Sequence, residues 1–433
     1  MKQMVLSAFL MPGGYDARAW RHPDSPAEDL GTFTPILEIA RAYEAAKLDA
    51  IFVADIITGA PIPNGDVFLG SPYEPITALS ALSAVTERIG LIGTFSTTWN
   101  HPYTLARQLQ ALDVLSGGRA GWNIVTSGGA QEHYGSALPS RDERYRRAEE
   151  VVEVVRALWG AWSDSAVIAD RRSGDWVRPG SIQPIEFEGE FATVQGFLNQ
   201  RRSPQGHPVL VQAGQSPSGL KFGAANGDLI YTAQPVLQKS VEYYAAYKER
   251  LGQLGRDPEQ TKIIPGIVPY IADTQKEAED LFHSLDEFVD FDAARARFEA
   301  AYRVDLSDID LDEKVPQERF QTDAEDSRIA SYSEMAAELG FTLRRLLVDS
   351  VASQGHLVVV GTASTIADTM IEWFDGRACD GFSLNAPLVP SSVAGICEGL
   401  VPELRERGYF RSEYAGSTLR EHLGIPVPPA WDA

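Results

Sequence analysis

The sequence alternates short runs of β-forming residues with stretches whose apolar residues recur at helical spacing. This alternation is typical of parallel βαβ units, in which a helix connects each strand to the next one. The predicted strands are 4–9, 50–54, 89–95, 119–125, 209–213, 228–232, 263–271, 357–360 and 381–384. The predicted helices between and after them are 34–47, 73–86, 103–115, 141–162, 217–226, 236–254, 365–375 and 391–406.

About eight strand-helix units in near-regular succession favour closure into a (β/α)8 TIM barrel over an open doubly wound sheet, which would also explain the alternation. Because barrels with insertions reach 433 residues as one domain, we expect a single α/β domain over 1–433.

Three segments do not follow the alternation of strands and helices. We expect a surface insertion with a small hairpin at 163–207, an acidic helical insertion at 285–355, and a C-terminal tail at 408–433 that packs on the outside or on a neighbour. The second insertion is interpreted either as a lid over the barrel mouth or as an oligomer contact.

The formal net charge of -22 disfavours a nucleic acid or an anionic membrane surface as a partner, because the long-range field repels both. Cys379 and Cys397 are too few for a disulfide framework and are not spaced as metal ligands. No segment approaches the roughly 20 consecutive apolar residues that span a bilayer. We therefore expect a cytoplasmic protein with reduced thiols and no membrane segment.

Polar residues stand at or just after the ends of several predicted strands. In a parallel barrel these carboxyl ends meet at one rim, where active sites are built. Each residue alone has an ordinary interpretation as a helix cap or turn residue, but together they predict a polar site. The candidates are Asp55, Thr94, Ser96, Asn123, Ser127 and the run at 214–219.

The run at 214–219, GQSPSG, lies between a strand and a helix. Ser216 is placed as the N-cap and Pro217 as the first helical residue, so free backbone N–H groups point outward and can hold an anion. The phosphate of a nucleotide-like cofactor would suit this position. An ordinary capped helix explains the same pattern.

A serine hydrolase is a second interpretation of this run, with Ser216 as nucleophile and His283, His356 or His422 as base. Pro217 speaks against it, because proline lacks the N–H that the residue after the nucleophile donates to an oxyanion. The sequence contains no GxGxxG after a strand, no phosphate-binding P-loop and no HExxH. No two histidines are three or four residues apart, so we expect no metal site.

Several short motifs resemble those of luciferase-like flavin-dependent monooxygenases of the nitrilotriacetate and dibenzothiophene-sulfone type. The most specific is LDVLSGGRAGWN at 112–123. Others occur in order along nearly the whole chain: FVAD at 52–55, NHPY at 100–103, DERY at 142–145, QAG at 212–214 and VPEL at 401–404.

This resemblance implies a barrel that holds FMN as FMNH2, supplied by a separate NAD(P)H:flavin reductase that binds transiently. It further implies that O2, as co-substrate, forms a flavin peroxide that inserts one oxygen atom into a small organic substrate, with no residue assigned as acid or base. A homodimer or homotetramer is expected. A flavin- or deazaflavin-dependent dehydrogenase on the same barrel, or a non-catalytic flavin carrier, would share the fold. The substrate stays open among a sulfur heterocycle, an aminopolycarboxylate, an alkane and another natural product.

The resemblance also implies roles for individual residues. Arg141 stands where many relatives carry histidine, and an arginine would suit a phosphate contact. The residues expected to line the flavin ring and ribityl chain are Asp55, Thr94 or Ser96, Asn123, Ser127 and Tyr145. Those expected at the phosphate are Gly214, Ser216 and Ser218. The expected substrate wall consists of Phe9, Trp20, Trp99, His101 and Tyr134.

Overall fold

A computed structural model describes residues 2–57, 72–321 and 328–431. Its strands are β1 (Val5–Phe9), β2 (Ala50–Val53), β3 (Gly90–Ser96), β4 (Ala120–Val125), β5 (Ile185–Glu188), β6 (Thr193–Gly196), β7 (Val209–Gln212), β8 (Leu229–Thr232), β9 (Lys262–Ile271), β10 (Leu357–Gly361) and β11 (Gly381–Leu384). Eight of them close into a parallel ring in the order β1, β2, β3, β4, β7, β8, β9 and β11. The predicted (β/α)8 barrel is thereby confirmed.

The strand predicted at 357–360 lies outside this ring. It forms β10, which pairs in parallel with the end of β9 through Val358 and Val268. β9 has ten residues, whereas its ring neighbours β8 and β11 have four each. The end of β9 therefore extends past both neighbours, and β10 covers its exposed backbone groups.

The helices surround the ring of strands. They are α1 (Phe33–Ala45), α2 (Pro75–Ser83), α3 (Pro102–Leu115), α4 (Gln131–Tyr134), α5 (Arg141–Gly160), α6 (Pro217–Asn226), α7 (Leu237–Gln253), α8 (Gln275–His283), α9 (Phe291–Tyr302), α10 (Arg328–Glu338), α11 (Leu343–Ala352), α12 (Ala363–Asp375), α13 (Ser391–Ala394), α14 (Val401–Glu406) and α15 (Leu419–Leu423). A π-helical segment, Gly395–Leu400, joins α13 to α14. Within the described ranges, no helix is both long and apolar enough to cross a membrane.

Alternate residues of each strand face opposite sides of the barrel wall. On the outside, Leu6 and Ile51 pack with Ile36 of α1 in one buried cluster. On the inside, Ile92 and Val211 belong to a separate buried cluster that fills the lower part of the barrel. The wall is therefore apolar on both faces, as a parallel sheet between a filled interior and a helical shell requires.

The C-terminal tail closes the amino-terminal end of the barrel. Leu419 of α15 is fully buried among the interior residues, together with Leu423 and Ile425. A methyl group added at Gly90, the first residue of β3, would lie 2.5 Å from Cδ1 of Leu419. The interior apolar layer needs a cover at this end, and α15 provides it, which the expected packing on the outside did not include. The end of the tail, residues 429–431, lies beside Ala157 and Gly160 of the outer helix α5, in agreement with that expectation.

The two insertions have structure of their own. Within 163–207, β5 and β6 pair as an antiparallel hairpin, with Ile185 opposite Gly196. Within 285–355, α9, α10 and α11 pack around a separate apolar cluster that includes Phe298, Tyr332 and Leu346. Residues 322–327 of this second insertion lie outside the described residues.

Candidate active site

The carboxyl ends of the barrel strands form one rim, because all eight ring strands are parallel. Asp55 follows β2, Ser96 ends β3, Ser127 follows β4, and the run at 214–219 follows β7. Asp55 is half-buried, and burial followed by the nearby charge of Glu74 raises the pKa of its carboxyl group. The polar residues predicted to share an edge do share one.

Thr94 and Asn123 lie one layer below this rim and are register partners on β3 and β4. Both side chains are buried, and Nδ2 of Asn123 donates a hydrogen bond to Oγ1 of Thr94 at 3.0 Å. The buried Oδ1 of Asn123 has no hydrogen-bond partner within the described part of the chain. Since an unsatisfied buried acceptor costs about 1–3 kcal/mol, this atom is suited to accept a hydrogen bond from a bound molecule.

The turn before α6 is closed by two glycines that touch. A Cβ atom added at Gly219 would lie 2.9 Å from Cα, C and O of Gly214. Oγ of Ser216 caps the helix by accepting a hydrogen bond from the Gly219 N–H at 3.2 Å. A Cβ added at Gly214 would come within 3.3 Å of the Tyr145 hydroxyl, so this hydroxyl borders the turn.

Other predicted cofactor residues lie close to these elements in the chain. Arg141 is the first residue of α5, after the N-cap Ser140, and Tyr145 lies one turn further along the same helix. Ser127 has a φ of 24°, where the chain leaves β4 toward α4. Ser218 is half-buried in the first turn of α6. These residues follow β4 and β7, which are adjacent strands of the barrel.

A cavity of about 300 Å³ lies at the mouth of the barrel. One wall is aromatic: the ring centroids of Phe9 and Phe52 are 4.8 Å apart, and those of Phe52 and Tyr231 are 4.9 Å apart. The Tyr231 hydroxyl hydrogen-bonds with Oγ of Ser7 at 2.6 Å. The other lining residues are Ala213, Gln215, Thr232, Ala233, Gly266, Arg328, His356, Ser383 and Asn385.

The insertion at 285–355 and the residue that follows it contribute two of these lining residues. Arg328 begins α10, and His356 immediately precedes β10. The imidazole of His356 sits directly against Gly266, where an added Cβ would be 2.3 Å from Nδ1. Oγ of Ser331 donates a hydrogen bond to the carbonyl of Ala233 at 3.1 Å, which fastens α10 to the end of β8.

Of the five residues expected to form the substrate wall, Phe9 lines this cavity. The rings of Trp99 and Tyr134 stack on each other at 4.8 Å, and Nε1 of Trp99 donates to the carbonyl of Gly129 at 2.9 Å. His101 caps α3 by accepting the Tyr103 N–H at its Nδ1. Trp20 is half-buried in a short helical turn, Ala19–Arg21. These four are not among the described residues that line the cavity.

The sequence interpretation missed most of the cavity. Ser383 and Asn385 lie at the end of β11, so the rule that located the other strand-end residues applies to them as well. Tyr231 and Thr232 end β8 in the same way. Arg328 and His356 carried no such signal, because they reach the barrel mouth only through the folding of a long insertion.

The serine hydrolase interpretation has no supporting geometry. Oγ of Ser216 accepts the capping hydrogen bond, and no histidine is hydrogen-bonded to it in the described structure. His422 lies at the opposite end of the barrel beside Met4 and Val5. His283 pairs with Asp286 at 2.7 Å in an exposed position.

A closed (β/α)8 barrel with a polar rim, a glycine-closed turn and an aromatic-walled cavity at the same end defines a barrel enzyme with its active site at the carboxyl ends of the strands. The family model of the luciferase-like monooxygenases matches residues 14–378. The chain belongs to this family and is a monooxygenase, which confirms the resemblance noted in the sequence.

Three similar proteins cover almost the whole chain. N-acetyl-S-(2-succino)cysteine monooxygenase of Bacillus subtilis (strain 168) is 39% identical over 433 residues, covering 99% of this chain and 98% of the relative. Nitrilotriacetate monooxygenase component A of Aminobacter aminovorans is 35% identical over 441 residues, covering 99% and 97%. The crystal structure of a riboflavin lyase with modified FMN and riboflavin has a TM-score of 0.87 at 31% identity, covering 99% of this chain and 97% of that one.

Proposed function

We propose that this chain is a reduced-FMN-dependent monooxygenase that transfers one oxygen atom from O2 to a small organic substrate. The balanced reaction consumes FMNH2, O2 and the substrate, and it yields oxidised FMN, water and the oxygenated product. One oxygen atom of O2 enters the product and the other is reduced to water. When bound, reduced FMN supplies the two electrons that this reduction requires.

The observation that carries the proposal is the glycine-closed turn beside a polar rim and a cavity. A phosphate suits the amino end of α6, because backbone N–H groups and the helix dipole favour an anion there. Gly214 and Gly219 are in close contact, and neither carries a side chain that would block this approach. We assign the phosphate to Gly214, Ser216 and Ser218, with the Tyr145 hydroxyl and Arg141 as further donors.

The remaining polar rim suits the ribityl chain and ring of a flavin, which carry hydroxyl, carbonyl and ring N–H groups. Oδ1 of Asn123 is a buried acceptor that lacks a partner in the described structure, so a donor of the cofactor would satisfy it. Asp55, Thr94, Ser96 and Ser127 complete the set that we assign to the flavin. These residues bind and orient the cofactor, and the cofactor itself supplies the oxidation chemistry.

The cavity walled by Phe9, Phe52 and Tyr231 is the proposed substrate site. An oxygenation of this kind needs water to be excluded from the reacting centre. Support comes from the insertion, since Arg328 lines the cavity and Ser331 fastens α10 to the carbonyl of Ala233. We therefore propose that the insertion covers the barrel mouth as a lid during turnover.

We further propose that a separate NAD(P)H:flavin reductase supplies the reduced flavin. The sequence has no GxGxxG run after a strand, which is the usual fingerprint of a nicotinamide-dinucleotide site. One similar protein is named as component A of its monooxygenase. A reductase partner delivers FMNH2 by dissociation and rebinding, so a stable complex is not required.

The test is turnover under ¹⁸O2 with a flavin reductase, NADH, FMN and a panel of small organic substrates. The proposal predicts one ¹⁸O atom in the product, detected by mass spectrometry, and no product when either O2 or the reductase is omitted. A product that forms without O2 would instead identify a dehydrogenase on the same barrel. A product whose new oxygen comes from water would also contradict the proposal.

A further inference from the structure

Gln212, the last residue of β7, is a buried polar side chain on the helix-facing side of the barrel wall. Val209 and Val211 belong to the cluster inside the barrel, and Ala213 lines the cavity. Because alternate residues of a strand face opposite sides, Gln212 faces the surrounding helices. Its exposed fraction is 6%. An amide buried in this layer needs hydrogen-bond partners, since an unsatisfied polar group costs free energy.

The oxygen of this amide lies on the side of α7. A Cβ atom added at Gly223 would lie 2.9 Å from Oε1 of Gln212 and 2.7 Å from the Tyr247 hydroxyl, so the two atoms border the same small space. Both atoms are buried, and neither has a hydrogen-bond partner in the described part of the chain. An amide oxygen accepts and a hydroxyl can donate, so this orientation places the acceptor of Gln212 near a donor.

The nitrogen of the same amide lies beside Gly214, in the turn before α6. A Cβ atom added at Gly214 would lie 2.4 Å from Nε2 of Gln212 and 3.3 Å from the Tyr145 hydroxyl. Any side chain at position 214 would therefore displace the amide. Neither Nε2 of Gln212 nor the Tyr145 hydroxyl donates a hydrogen bond within the described ranges. The missing side chain of Gly214 thus leaves room for two donor groups that are available to a ligand.

These two donors suit the phosphate that we assign to the turn. Hydrogen bonds to an oxygen atom are about 2.9 Å long, so one phosphate group can accept from two donors this close together. The amino end of α6 favours the negative charge of the phosphate. A hydrogen bond from a neutral amide to a charged oxygen is also stronger than one between neutral groups, and it needs no buried positive charge.

We propose that Gln212 is a further phosphate-binding residue, whose Nε2 donates a hydrogen bond to reduced FMN beside the Tyr145 hydroxyl. This inference rests on the proposed function and adds a residue to the same site. Riboflavin has the ring and ribityl chain of FMN but carries no phosphate, so it cannot accept this hydrogen bond. Gln212 therefore contributes to the preference of the chain for reduced FMN over reduced riboflavin.

The test is anaerobic fluorescence titration of the full-length chain with reduced FMN and, separately, with reduced riboflavin. We expect the wild-type chain to bind reduced FMN about hundredfold or more tightly, which is the effect of two or more charge-assisted hydrogen bonds. Gln212→Met keeps the length of the side chain without its donors. It is expected to lower this ratio about tenfold through weaker FMN binding, with riboflavin binding unchanged. Gln212→Glu is expected to lower the ratio further, because a carboxylate repels the phosphate.

Gln110→Met is the matched control. Gln110 is also a buried glutamine of the helical shell, its Oε1 also lacks a partner in the described structure, and its Nε2 donates to the carbonyl of Arg201 at 2.7 Å. This variant is expected to keep the wild-type ratio.

Two results would overturn the role of Gln212: an unchanged ratio in Gln212→Met, or an equal loss of affinity for both flavins. A wild-type chain that binds neither flavin would instead refute the proposed function, and one that binds both equally would refute the phosphate site at this turn.

Discussion

Nδ2 of Asn123 donates a hydrogen bond to Oγ1 of Thr94 at 3.0 Å, and this bond joins β3 to β4 just below the barrel rim. It also fixes the amide so that Oδ1 is the atom left without a partner in the described structure. A buried acceptor held in this way is oriented before any ligand arrives, which reduces the ordering that binding requires.

Asn123→Ala is expected to weaken the binding of reduced FMN by about 1–3 kcal/mol, which is the range for a buried hydrogen bond left unmade. Anaerobic fluorescence titration measures the dissociation constant. Asn199→Ala, at an exposed position in the first insertion, is the control and is expected to bind as the wild-type chain does. Equal affinity of Asn123→Ala and the wild-type chain would remove Asn123 from the flavin site.

Gly219→Ala is expected to open the turn before α6, because its new Cβ would lie 2.9 Å from three backbone atoms of Gly214. Overpacking of this kind costs about 1–3 kcal/mol, and here the displaced atoms belong to the proposed phosphate site. FMN affinity is expected to fall about tenfold or more. Gly252→Ala is the control, because the space around Gly252 in α7 is open. If both variants bind FMN equally well, the turn does not hold the phosphate.

Ser216→Ala separates the capping role of this residue from a cofactor role. Loss of an N-cap costs about 0.5–2 kcal/mol of folding free energy. Thr342→Ala removes an equivalent cap from α11, where Oγ1 accepts the Arg345 N–H at 3.3 Å. We expect both variants to unfold at lower denaturant concentration, but only Ser216→Ala to bind FMN more weakly. If Thr342→Ala also binds FMN more weakly, or if Ser216→Ala binds FMN as tightly as the wild-type chain, Ser216 has a structural role alone.

His207 is expected to make stability depend on pH. Burial, followed by the charge of Arg420, lowers the pKa of this imidazole from 6.5 to about 3 in the folded state. As the pH falls below 6.5, His207 becomes protonated in the unfolded chain but stays neutral in the folded chain. The free energy of unfolding therefore decreases below this pH.

The loss expected from this one group between pH 6.5 and about pH 5 is about 2 kcal/mol, at roughly 1.4 kcal/mol per pH unit. Urea unfolding at about pH 7 and about pH 5 measures it, and His207→Gln is expected to lose less stability over this interval. The buried histidines His356 and His422 remain in both chains, so only the difference between the two slopes is assigned to His207. If both chains lose the same stability over this interval, the pKa of His207 is not lowered in the folded state.

Leu419→Ala is expected to destabilise the fold by about 2–5 kcal/mol, because it removes a fully buried side chain from the lower end of the barrel. Flavin affinity of the folded variant is expected to stay unchanged, since the rim lies at the other end. Leu115→Ala, at a residue that is 74% exposed, is the control and is expected to have almost no effect. Comparable stabilities for the two variants would contradict the assignment of the tail as a cover of the barrel.

The elements that were predictable from sequence carry their own local signals. The predicted bounds of α6 agree with the structure, because Ser216 and Pro217 form a cap and first turn that need no tertiary context. The short helix α4 was missed. It begins after Ala130, a left-handed residue with a φ of 75°, and such a start has no side-chain cap to recognise.

Some residues of the candidate site were likewise predictable from the sequence, and others were not. Strand-end residues such as Asn123 were predictable, because parallel topology alone brings them to one rim. Arg328 and His356 were not, since the insertion that carries them reaches the cavity through contacts between distant parts of the chain. His101 shows the reverse case: it was expected in the substrate wall, whereas its ring caps α3 and it is not among the described residues that line the cavity.

The polar rim and the turn before α6 are proposed to hold reduced FMN. Anaerobic titration of the wild-type chain and Gly219→Ala with FMNH2 measures this binding. We expect saturable binding of one FMNH2 per chain, with an affinity that falls about tenfold or more in the variant. Absence of saturable binding, or equal affinity in both chains, would show that these residues do not hold the flavin.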